Sequence, residues 1–84
     1  MRSQLTHYKE PKPNTTSWQQ IVTSLIAIRK DKDMSQEALA HEIGCASSLI
    51  HKWEQCKRVP SGFMFACWID ALEAEIKIQI KEET

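Results

Sequence analysis

Glycine is almost absent from this chain. With two in 84 residues, Gly44 and Gly62, no glycine-rich phosphate loop can be built. Net charge is also missing: eleven Lys and Arg balance eleven Asp and Glu. The three cysteines, Cys45, Cys56 and Cys67, are odd in number and contain no CxxC pair, so reduced thiols are expected rather than a disulfide framework. The longest stretch without charge, Pro13 to Ile28, is too short and too polar to span a bilayer. The first residues lack the apolar centre of a signal peptide, and a cytoplasmic location in a bacterial or phage-infected cell is expected. Catalytic sets are lacking too. No Ser/His/Asp or Cys/His group has a recognisable spacing, and no enzyme activity is expected. Asp31, Asp33 and Glu37 lack a calcium loop's glycine, and Cys45 with His41 and His51 fits no zinc-finger spacing, so no metal or other cofactor is expected.

The chain does have helical periodicity. Trp18, Ile21, Val22, Leu25 and Ile28 recur every three to four residues and predict an apolar face on a first helix starting near Ser17. Ser17 with Gln20 fits a capping box, and Thr16 is an alternative cap. Ser35 caps a second helix with Leu39, Ala40 and Ile43 inward, and Gly44 stops it in a left-handed turn. A third helix, about Ser47 to Gln55, turns Ile50 and Trp53 inward, with Leu49 at the core's edge. Pro60-Ser61 opens a fourth, about Ser61 to Glu73, carrying Phe65, Trp68, Ile69 and Leu72. Three tryptophans, Trp18, Trp53 and Trp68, are core candidates.

Both ends differ from this middle. Residues 1–16 carry two prolines and no helical period, and read as a solvated arm or a short strand around Gln4 to Lys9. Glu75 to Lys81 alternate strictly, placing Ile76, Ile78 and Ile80 on one face, and predict a β-strand within residues 74–84. A lone strand needs a partner: the same strand of a second protomer, or the Leu5–Tyr8 segment. The expected organisation is an arm (1–16), a helical domain (17–73) and a dimerising strand (74–84).

The segment from Gln36 to Pro60 has the layout of a helix-turn-helix. Arg29, Ser35-Gln36, Leu39-Ala40, Ile43-Gly44, Ile50, Trp53-Glu54, Lys57-Arg58 and Pro60-Ser61 stand at the spacing of the lambda-repressor/Cro/Xre type, which the chain resembles over roughly residues 18–73. The resemblance implies a mostly α, lambda-repressor-like bundle of four to five helices whose third helix enters a DNA major groove. The terminal strand more loosely resembles that of some Xre-type antitoxins and regulators.

On that resemblance Ser47, Ser48, His51 and Lys52 face base edges, and the two serines are equally suited to capping or to phosphate. Gln36, Lys57 and Arg58 contact phosphates, while Arg29 pairs with Glu54 as a structural salt bridge. Lys9 and Lys12 of the arm offer further contacts to phosphate or a minor groove. The family's left-handed glycine before the second helix is Asp33 here, and its glycine after the third is Cys56. Its helix-capping Ser or Thr is Ala46, for which Ser47 is expected to substitute. An apolar residue of the fourth helix is Gly62.

The implied function is a sequence-specific regulator that binds double-stranded DNA. It is expected to act as a homodimeric repressor on an inverted-repeat operator, either as a phage or mobile-element regulator or as an antitoxin. An antitoxin needs a toxin-binding segment, for which residues 1–16 and 74–84 are available. The rival from another class is a protein-interaction adapter on the same scaffold, favoured by zero net charge and the plain Ser47-Ser48 pair. Charge distribution supports the DNA reading, because acidity collects in residues 61–84 while Lys52, Lys57 and Arg58 cluster around the third helix.

Overall fold

A computed structural model describes residues 16–79. Among these residues four helices follow one another: α1 (Thr16–Asp31), α2 (Gln36–Ile43), α3 (Ser47–Glu54) and α4 (Gly62–Ala71). The mostly helical expectation holds among the described residues. No strand occurs among them, and residues 74–79 adopt no regular element. The predicted strand needs a second strand to supply its hydrogen bonds, and the described part of a single chain offers none. Ile80, the Leu5–Tyr8 segment, Lys9 and Lys12 lie outside the described residues.

The four helices end in the same way. Asp33, Gly44, Cys56 and Glu73 each take a positive φ, between 55° and 90°. The next amide then reaches back five residues: Met34 N–H to the Arg29 carbonyl, Cys45 to Ala40, Lys57 to Lys52 and Ala74 to Ile69. This satisfies carbonyls that a helix end leaves open. Met34, Cys45 and Ala74 also pack on the core from these turns. Only one of the four left-handed positions is glycine; at Asp33, Cys56 and Glu73 the packing imposes a conformation that other residues enter at a cost of about 1–2 kcal/mol.

The helix starts differ. Ser35 Oγ accepts from Ala38 N–H at 2.9 Å, and Ser61 Oγ accepts from Met64 N–H at 3.1 Å. Ala46 occupies the N-cap of α3 with no side-chain bond. Ser47 does not take over the cap: it is already helical, because the Ala46 carbonyl accepts from Leu49 N–H.

The core is built where α2, α3 and α4 meet α1. Leu39, Ile50, Trp68 and Leu72 are fully enclosed, with Val22, Leu25, Ala40, Trp53 and Ile69 beside them. Aromatic rings run through it: Trp53 and Trp68 lie 5.2 Å apart, Phe65 meets Trp68 edge-on at 6.3 Å, and Trp18 covers Phe65 at 5.4 Å. One expectation for α1 is corrected. Ile21 is 37% exposed and Ile28 half-buried, because the core stripe follows Val22, Leu25 and Arg29. The α1 surface is therefore apolar over a wider arc than the core uses.

Candidate nucleic-acid interface

Among the described residues, Arg29 carries a charge buried in the domain. Its Nε donates to Glu54 Oε2 at 2.6 Å and its Nη2 to Glu54 Oε1 at 2.9 Å, while Nη1 donates to the Met34 carbonyl at 2.8 Å. This forked pair ties the last turn of α1 to the end of α3 across 25 residues. Both side chains are more than nine-tenths buried. At that depth an ion pair is maintained only when its remaining hydrogen-bonding capacity is also satisfied, as the Met34 carbonyl does for Arg29.

Gln36 completes the cluster. Its Nε2 donates to Glu54 Oε1 at 2.8 Å, so the first residue of α2 is tied to the last of α3. The family resemblance implies a phosphate contact for Gln36, and nothing in the sequence signals this bond. An amide nitrogen carries two hydrogens, so the bond to Glu54 uses half of its donor capacity. Glu54 thus holds three helices: α1 through Arg29, α2 through Gln36, and its own.

With that end of α3 anchored and Ile50 and Trp53 buried, the opposite face is turned outward. Ser48, His51, Lys52 and Gln55 are exposed on it, and Ser47 is half-buried at its first turn. The turn after α3 exposes Lys57 and Arg58, whose amides both donate to the Lys52 carbonyl, at 2.9 and 3.3 Å. Lys52, Lys57 and Arg58 are thereby held on one short stretch of backbone. Ser47 and Ser48 stand in the first turn of α3, His51 and Lys52 one turn on, and the two loop cations follow its C-terminal end. Gln36 stands next to that end as part of the Glu54 cluster.

Among the described residues no set of three or more His, Cys, Asp or Glu is placed to hold a metal ion. Burial pushes the Cys45 thiol above its ordinary range. No described helix is long and apolar enough to cross a membrane.

Known proteins add no assignment to this geometry: no family model, curated protein or solved structure matches the chain.

Proposed function

We propose that the protein is a sequence-specific regulator of transcription that binds double-stranded DNA as a homodimer and represses by occupancy. The observation that carries this reading is the anchored α3. Its inner face and C-terminal end are fixed by Ile50, Trp53 and the Glu54 cluster, and its outer face presents Ser48, His51 and Lys52 beside Lys57 and Arg58. A reading helix must be held rigidly for its side chains to select base edges, and it needs cations at its flank for phosphate.

In this reading Ser47, Ser48, His51 and Lys52 contact bases. Lys57 and Arg58 set the register on the backbone, and Gln36 offers its second amide hydrogen to a phosphate. Two protomers, joined through residues 74–84 as paired strands, would place their α3 helices in successive major grooves of an inverted repeat. Such a regulator fits a phage or mobile-element repressor or an antitoxin.

Titrating a mixed-sequence duplex at increasing salt tests this. Two phosphate-facing cations per protomer, four in the dimer, predict a slope of log K against log salt of about −4. Lys57→Ala should flatten that slope by about 2 in the dimer. Salt-independent binding, or none from folded protein, would overturn the reading. A second reading, an adapter for another protein, draws on Val59 and Phe63, which stand exposed beside the basic turn. Binding to such an apolar partner would persist at high salt.

A further inference from the structure

The apolar arc of α1 that the core leaves uncovered forms one wall of an open groove of about 720 Å³. Ile21, Ser24 and Ile28 line that wall, and Ala74, Ile76 and Ile78 the other. A smaller groove along α4 shares Ile69 and Ile76 with it, so the apolar surface continues from α1 to α4. Ser24 turns its hydroxyl back onto the Gln20 carbonyl at 3.1 Å, which leaves a shallow dent between two isoleucines rather than a polar obstacle. Against this dent stands a surplus knob: Ile78 is 92% exposed and Ile76 48%. These exposed isoleucines, bordering an apolar groove, form a surface that a partner can cover.

We propose that a second copy of this chain fills the groove, by a two-fold exchange in which Ile78 of each copy seats against the α1 dent of the other. The charges of the tail specify this occupant. Glu75 and Lys77 flank Ile76 and are 3.7 Å apart within one chain. In an antiparallel pairing centred on Ile76, Glu75 faces the partner's Lys77 and Lys77 faces the partner's Glu75. The pattern is self-complementary, as a two-fold interface demands. In the same register Ile78 lies opposite the partner's Ala74, which lines the partner's groove together with Ile28. The inference deepens the homodimer part of the proposed function and does not depend on DNA.

Sedimentation equilibrium of the full chain tests it, with circular dichroism as the check on folding. Ile78 contacts little within its own chain, so Ile78→Glu should keep the parent helix content and weaken dimerisation at least about tenfold. Ser24→Trp, which fills the dent, should do the same. Glu75→Lys and Lys77→Glu should each weaken the dimer, and the double exchange should return it to within about threefold of the parent. A parent chain that is monomeric at 100 µM (on the order of the concentration at which weak dimers form) would overturn the proposal. So would variants at Ile78 and Ser24 that dimerise like the parent, or a double exchange no better than either single change. Lys52→Ala should leave the dimer intact, so loss of DNA binding and loss of the dimer are separable.

Discussion

At the residue scale, Glu54 has the greatest influence on the geometry. Its two oxygens accept from Arg29 twice and from Gln36 once, and all three donors come from other helices. Removing Arg29 leaves a carboxylate buried without its counter-charge, and Arg29→Ala should cost about 3–5 kcal/mol in urea unfolding. A change under about 1 kcal/mol would mean that water replaces the guanidinium and that α3 is held by packing alone. Gln36→Ala removes a hydrogen bond to a charged group and should cost about 1.5–3 kcal/mol, before any effect on DNA. The pairing of Arg29 with Glu54 was legible in the sequence because both residues stand at positions of a known pattern. The Gln36 bond was not legible. Gln36 and Glu54 are eighteen residues apart, and a glutamine at a helix start is equally compatible with solvent, phosphate or a neighbouring carboxylate. Only the closure of α2 against α3 selects among them.

At the scale of the element, starts and stops were written locally and the surfaces were not. Ser35, Gly44 and Ser61 cap or end helices as their chemistry predicts. Asp33 and Cys56, flagged as standing in for glycines, do carry the left-handed turns. Glu73 gave no such signal, because nothing in a glutamate marks a positive φ. Cys56→Gly should relieve its turn, offset by the added chain entropy of glycine, for a net gain of up to about 1 kcal/mol in urea unfolding. Ala46→Ser would supply the missing cap of α3 and should stabilise by about 0.5–2 kcal/mol, since Ala46 already has the extended conformation of an N-cap. If Ala46→Ser is neutral, the first amides of α3 are satisfied by another route. Periodicity misassigned Ile21, because a 3.6-residue period locates a helix's apolar side without saying how wide an arc the neighbours cover. It also marked residues 74–79 as strand. Alternation reports two faces, but strand hydrogen bonds require a second chain segment.

At the scale of the molecule, total charge is a poor guide and its placement a better one. The cations Lys52, Lys57 and Arg58 stand at the C-terminal end of α3 and in the turn after it, while Ile21, Ile76 and Ile78 line the groove beside α1. A domain of this size gains from a second copy, because a small core buries a limited share of its surface. The two surfaces thus divide the work proposed for the protein, one for nucleic acid and one for its own copy. The exposed face of α3 was legible from residue spacing, whereas the groove appeared only once α1 and the tail were placed together.

The central claim is that this anchored helix reads DNA sequence. Selection of bound duplexes from a random library by the purified protein at moderate salt tests it most directly. The account predicts an enriched inverted repeat with half-site centres about 10 bp apart, and that Lys52→Ala relaxes one position in each half-site. Folded protein that enriches no sequence would contradict it.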